Sequence, residues 1–411
     1  MSVVHRRSPV LCCTPEPQAE LYKRQAPHRK HFYSWVATDR RQLEITERLL
    51  LRGLPYYQAR IAGLNTISTD DIRGCDDDLA ATADTSSGLR AVRSSGDLAN
   101  IAAAAEAEEE VDTRDVLVLV HGFAGGVAGW AQNWRFFAEH FRVYAMDLPG
   151  FARSERRAHR ATSVQTAMNF VCGYLERWFQ RLRFGKPVIV LAHSFGCFVA
   201  AHYAMRCGPA EIKQLCLTEP WGMVRGDRNR VKKYPLLLQL MLTLFYHVSP
   251  LALLRAAGPG GPQLLRHTRP DFDAKWKSFL DNTDPLYDYL YHCNAQRSPV
   301  GETLFQACCH YDVCAKEPLQ DVLPFKLDKR IRVMLLFGGT SWLAPGEAME
   351  MATVMRAKSF HVLVDTLPTA GHQVFTDDVD GFNEKVLDML NTLAADSDTG
   401  DVKDIHEEPL Q

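Results

Sequence analysis

The chain has 411 residues, 46% hydrophobic and 23% charged, with a formal net charge of −2. That is an ordinary make-up for a soluble globular protein of one large or two average domains, and it carries no sign of nucleic-acid binding. Eleven cysteines fall without a repeating spacing, which argues against a disulfide framework and for a reducing compartment.

In chain order, residues 1–31 form a basic tail without the apolar core of a secretory signal. A mitochondrial presequence reading is opposed by Glu16 and Glu20, and Cys12–Cys13 is a site where acylation could occur. Residues 32–66 hold an amphipathic helix over Arg41–Leu51, with Leu43, Ile45, Leu49 and Leu50 at helical spacing, and the start of the sheet. Residues 67–113 contain 75-CDDDLAATADTSSGLRAVRSSGDLANIAAAAEAEEE-110, an acidic, Ala-rich insertion with too few large apolar groups to order itself.

Residues 114–222 then alternate. Apolar runs at Val116–Val120, Val143–Met146, Pro187–Leu191 and Ile212–Thr218 predict strands, and Val164–Leu182 and the stretch after Ser194 predict helices. The alternation stops over 223–328 and resumes over 329–393, with strands at Ile331–Phe337 and Phe360–Asp365; residues 394–411 are an acidic tail. This predicts an α/β fold, a mostly parallel central sheet with helices on both faces and an inserted cap over the carboxyl ends of the strands. The longest apolar stretch, 236–257, is interrupted by Gln239, His247 and Pro250, too soon for a spanning helix. It predicts two short helices, serving as core or as a greasy surface that meets lipid.

The chemistry centres on 189-IVLAHSFGCFVAAHYA-204. A strand delivers Ser194 into a sharp turn and a helix leads away, with the small residues Ala192 and Gly196 two positions before and after, as a strained nucleophile turn requires. A serine hydroxyl also needs a base and oxyanion donors. Strand–His121–Gly122 in 117-LVLVHGFAGG-126 offers the backbone N–H of Phe123, which with that of Phe195 would form an oxyanion hole. In 370-AGHQVF-375, His372 follows the last strand, where a base belongs, and Asp147-Leu148-Pro149-Gly150 with Ser154 is a loop common after a neighbouring strand. The order nucleophile, acid, histidine is that of α/β hydrolases.

The acid belongs after Ile331–Phe337, yet 338-GGTSWLAPGEAME-350 contains no aspartate. Glu347 is the residue expected to fill the role. Glu350, Asp365 and Glu219, the last at a position from which some hydrolases draw their acid, are the alternatives. Cys308, Cys309, His310 and Cys314 in 307-ACCHYDVC-314 lack the separated ligand pairs of a zinc site and are read as buried thiols, so no metal or organic cofactor is expected.

The segments 121-HGFAGGVAGWAQNW-134, 145-AMDLPGFARS-154, 217-LTEPWGMV-224, 267-HTRPDF-272, 289-YLYHCNAQ-296, 301-GETLF-305 and 371-GHQVFTDD-378 resemble the subfamily of α/β-hydrolase-domain-containing proteins four and five. The likeness runs from about residue 32 to 393, apart from the acidic insertion. It implies the α/β-hydrolase fold and phospholipid or lysophospholipid substrates, including N-acyl phosphatidylethanolamines. It also implies a lysophosphatidic acid acyltransferase-like motif, here His372 and Asp377. From its position just before Val379, Asp377 is expected instead to cap the last helix. The co-activator branch of this subfamily has asparagine where this chain has Ser194, and the subfamily's acid position aligns with Ala344.

The expected function is therefore a serine hydrolase acting on acyl esters or amides of glycerophospholipids, peripheral on membranes or lipid droplets in the cytoplasm or mitochondrion. The alternatives are a non-catalytic lipid-binding co-activator with a lipase partner and an aminopeptidase-like hydrolase.

Overall fold

The computed structural model describes residues 39–77, 112–223, 251–310, 312–343 and 345–399, with isolated positions at 225, 235, 236, 239 and 249. The basic tail, most of the acidic insertion, most of the apolar stretch after residue 236 and the end of the acidic tail lie outside these residues.

Eight strands form one sheet: β1 (Tyr57–Ile61), β2 (Leu64–Ser68), β3 (Val116–Val120), β4 (Arg142–Met146), β5 (Val188–His193), β6 (Ile212–Thr218), β7 (Arg332–Gly338) and β8 (Val362–Leu367). Their spatial order is β1-β2-β4-β3-β5-β6-β7-β8. The β1–β2 and β2–β4 pairs are antiparallel; every later pair is parallel. The apolar runs read as strands thus form the parallel part of the sheet. The first hairpin turns on Ala62 and Gly63, both at positive φ, which suits a two-residue turn to the twist of its strands.

Both faces of the sheet are covered, which is why its central strands are apolar without alternation. Val116, Val118 and Val120 of β3 point into one core with the helices Val164–Leu182 and Phe195–Cys207. Leu117 and Leu119 point into the other, with Arg40–Leu50, Trp134–His140 and Val379–Thr399. The helix Val164–Leu182 starts in a reciprocal capping box between Ser163 and Thr166.

Between β6 and β7 the described chain is helical: Ala252–Ala256, Gly261–Thr268, Asp271–Trp276, Asp284–Asn294, Val300–Cys308 and Leu319–Lys326. This cap seats on the core through backbone contact. The Gly301 N–H donates to the Gly150 carbonyl at 3.2 Å, and a Cβ on Gly150, whose φ is +85°, would fall 2.4 Å from the Gly301 nitrogen. Asn294 Nδ2 donates to the Ala124 carbonyl at 2.8 Å. Among the described residues no helix is long and apolar enough to cross a membrane, and no three His, Cys, Asp or Glu side chains are grouped as metal ligands. Burial pushes the Cys308 thiol up to about 12, so it stays protonated and inert.

Three buried imidazoles and the half-buried one of His202 shape the response to acid. Desolvation first of all holds His121, His202 and His292 down at about 4 and His193 at about 3. The unfolded chain protonates these rings near 6.5, well before the folded chain does. The stability gained by keeping them neutral is therefore complete above that value and lost as pH falls through it towards 4 and 3. Glu47, raised to about 7 chiefly by burial, and Asp147, raised by the same cause, have the opposite sign and are outnumbered. For a fully buried ring such as His193 the loss between about pH 7 and 5 is on the order of 2 kcal/mol. Thermal melts should show a Tm that drops over this interval; a flat profile would contradict the assignment of four neutral rings.

Candidate active site

The strand β5 ends at His193, and Ser194 sits alone between it and the helix Phe195–Cys207 with φ +52° and ψ −120°. A non-glycine residue there is strained and persists only because its surroundings fix it. Its N–H donates to the Thr218 carbonyl at 3.1 Å, and its own carbonyl accepts from Cys197 and Trp221. Ala192, in place of the more usual glycine, is fully buried; its carbonyl accepts from Thr218 Oγ1 at 2.7 Å. Gly196 cannot vary in this way. A Cβ there would lie 2.4 Å from the His121 carbonyl oxygen, a backbone atom of the loop facing the nucleophile. Gly196→Ala should cost about 1–3 kcal/mol through overpacking and distort that loop, measurable as a lowered denaturation midpoint together with reduced turnover.

Ser194 Oγ lies 3.1 Å from His372 Nε2, and His372 Nδ1 lies 2.9 Å from Glu219 Oε2. The carboxylate can only accept, so Nδ1 carries the proton and Nε2 is free to accept from the serine hydroxyl. The three side chains form one hydrogen-bonded line. The carboxylate on His372 is thus Glu219, where the sequence pointed to Glu347. Glu219 is fully buried and stands at φ +49° immediately after β6. The Gly338 N–H donates to its Oε1 at 2.6 Å, and the Ser341 hydroxyl donates to its Oε2. Glu347 lies in the first turn of the helix Gly346–Ala357, its side chain outside the described ones. With three donors on Glu219 and Nδ1 occupied, His372 has no place for a second carboxylate. Asp365 pairs with Lys385 at 2.8 Å instead. Ala344 lies outside the described residues.

The segments that carry Phe123 and Phe195 both border Ser194. A Cβ on Gly122 would come 2.9 Å from Ser194 Cβ, so the loop bearing Phe123 lies against the nucleophile. The Phe195 N–H opens its helix. Among the described residues neither amide has a backbone acceptor. The loop is braced from behind. His121 Nε2 accepts from the Leu148 N–H at 2.9 Å, so its Nδ1 donates to the Gly122 carbonyl at 2.7 Å. Asp147 accepts from the Val127 and Arg153 amides and from Asn65 Nδ2, at 2.7, 3.0 and 2.7 Å. Ser154 Oγ donates to the Asp147 carbonyl at 2.5 Å.

Asp377 does not cap the last helix. That role falls to Asp378, whose Oδ1 accepts from the Gly381 N–H at 3.0 Å. Asp377 accepts from the Gly371 N–H at 2.8 Å and pairs with Lys275 of the cap at 2.7 Å. It holds the loop of His372 and does not touch the ring itself among the described contacts. Sequence reasoning passed over His193, whose buried, neutral ring donates from Nε2 to the His372 carbonyl at 2.8 Å and so ties the nucleophile turn to the histidine loop. Its place next to Ser194 was the only available signal.

The walls are aromatic. Phe305 of the cap lies 4.4, 5.0 and 4.7 Å, ring to ring, from Phe123, Phe195 and Trp221, and Phe151 packs edge-on to Phe123 at 6.0 Å. The cap segments 289–296 and 301–305, which carry part of the family resemblance, are therefore among those that seat on the loop of Phe123.

A family model of the α/β hydrolase fold matches residues 115–248. The mouse 1-acylglycerol-3-phosphate O-acyltransferase ABHD5 is 34% identical over 285 residues, covering 69% of this chain and 79% of that protein. The chain belongs to the α/β-hydrolase-domain-containing four/five subfamily. The human (lyso)-N-acylphosphatidylethanolamine lipase, a relative in the same subfamily, is 31% identical over 287 residues, 69% of this chain and 81% of that protein. Among solved structures, a bacterial membrane phospholipase A superposes with a TM-score of 0.52 at 19% identity, over 89% of this chain and 94% of its own; at that identity the likeness concerns the α/β-hydrolase fold alone.

Proposed function

We propose that this member of the α/β-hydrolase-domain-containing four/five subfamily is a serine hydrolase of acyl esters or amides of glycerophospholipids. The observation that carries the reading is the unbroken line Ser194–His372–Glu219. Ser194 Oγ attacks the acyl carbonyl while His372 Nε2 takes its proton. Glu219 holds the imidazole in the productive tautomer and stabilises the imidazolium that forms. The amides of Phe123 and Phe195 bind the oxyanion. His372 then returns the proton to the leaving oxygen or nitrogen, and the acyl-enzyme is cleared when water, activated by the same ring, attacks it. An acceptor alcohol such as a lysophosphatidic acid hydroxyl, taking the place of water, would give acyl transfer by the same steps.

Three features support a lipid substrate. The named relatives act on lysophosphatidic acid and on N-acyl phosphatidylethanolamine, the site walls are aromatic, and the cap exposes Leu236, Leu253 and Leu264. The last feature fits peripheral work at a membrane or lipid-droplet surface. The hydrogen-bonded serine disfavours the alternative of a non-catalytic lipase co-activator. Fluorophosphonate labelling of the intact chain tests the proposal: a reactive, activated serine should be tagged at Ser194 and nowhere else, and the absence of labelling would return the protein to the binding-module reading.

A further inference from the structure

The loop between β7 and the helix Gly346–Ala357 carries no acid, but it is built around one. Ser341 donates its hydroxyl to Glu219 Oε2, the oxygen that also serves His372. On the near side, Thr340 donates from both its N–H and its hydroxyl to the Ala370 carbonyl, at 3.0 Å each. On the far side, the Leu343 N–H donates to Ser341 Oγ at 3.2 Å, and the Leu343 side chain is buried. Between these anchors Trp342 is 65% exposed. Its ring centroid nevertheless stands 5.4 Å from that of His372, with the planes inclined by 46°.

An indole held at the mouth of a site offers a large, rigid apolar face to whatever binds there. Here its backbone is fixed on both sides and its ring meets the base whose Nε2 must reach the leaving group. A substrate whose leaving group is held at His372 has this ring beside the base. We propose that Trp342 is a specificity-determining residue that packs against the apolar part of a long-chain acyl substrate and closes the solvent side of His372 when that substrate is bound. This rests on the serine-hydrolase reading for the chemistry, but not for the contact.

The test uses the full chain with Trp342→Ala and Trp342→Phe. The substrates are p-nitrophenyl acetate and p-nitrophenyl decanoate, the latter below its critical micelle concentration. The ratio of kcat/KM for decanoate over acetate should fall about tenfold or more in Trp342→Ala, mainly through KM, and Trp342→Phe should recover most of it. An unchanged ratio would overturn the proposal. So would an equal fall in kcat on both esters, the mark of an indole that merely braces His372. Reduced binding to phosphatidylcholine vesicles with the ratio intact would assign the indole to membrane contact and overturn it as well.

Quenching of tryptophan emission by a terminally brominated undecanoate ester needs no turnover. It should weaken in Trp342→Phe, and undiminished quenching would count against the contact. Wild-type protein that shows Trp342-dependent quenching but cleaves neither ester would remove the hydrolase reading while leaving the contact standing.

Discussion

Ser194→Ala should give a folded protein whose ester turnover is lower by at least about a thousandfold and which no longer reacts with fluorophosphonate. The fold should survive because, among the described residues, the native side chain makes a single hydrogen bond, to His372. The bonds that hold the turn run through the backbone of residue 194, to Thr218, Cys197 and Trp221. An alanine keeps all of these. Circular dichroism and a denaturation midpoint close to wild type establish the first half. Wild-type-like turnover in such a protein would end the triad assignment, since no other described side chain lies on His372 Nε2.

Glu219→Gln is expected to lower kcat by about a thousandfold to ten-thousandfold with KM little changed. Three donors converge on the carboxylate: the Gly338 N–H, the Ser341 hydroxyl and the Nδ1–H of His372. An amide offers one accepting oxygen and one donating nitrogen, so at least one donor faces another donor. If that one is His372, the ring flips its tautomer and Nε2 loses the lone pair that receives the serine proton. Glu347→Gln should be close to silent, and its assay is the sharpest discriminator. A large loss there with Glu219→Gln unimpaired would restore the acid to the loop after β7.

The sequence points to the loop after β7 because the fold's usual order puts the acid between nucleophile and histidine. Runs such as Val116–Val120 read directly as strands, because burial on both faces makes every residue apolar. Ser194 and His372, which the structure brings to 3.1 Å, are legible as well, each being marked by small residues beside a strand end. The acid is not. β6 and β7 are parallel neighbours in register from Gln214–Arg332 to Thr218–Leu336, so their carboxyl ends open side by side. A carboxylate from either loop can reach the same imidazole nitrogen, and only the placement of the two strands distinguishes them. Glu219 is 153 positions from His372 in sequence and needs an unusual positive φ to turn inward; neither fact is written in composition or periodicity. The hairpin β1–β2 was seen only as the start of the sheet. Its first strand, Tyr57–Ile61, mixes Gln and Arg with apolar residues, and its Ala-Gly turn is a weaker signal than Asn-Gly.

Because the acid stands at the end of β6, it is also among the last residues of the core before the cap begins. Glu219 is followed within two positions by Trp221, which donates its backbone N–H to the Ser194 carbonyl at 3.2 Å and touches Phe305 of the cap. In an enzyme whose acid follows β7, the cap is a module that can be cut out and replaced while the three reacting groups stay behind. In this chain the upstream splice point runs through the triad itself. A graft that exchanges the cap between relatives must keep Glu219 on the recipient side and the Trp221 joint intact, or it will transplant a lid and unseat the base in the same step.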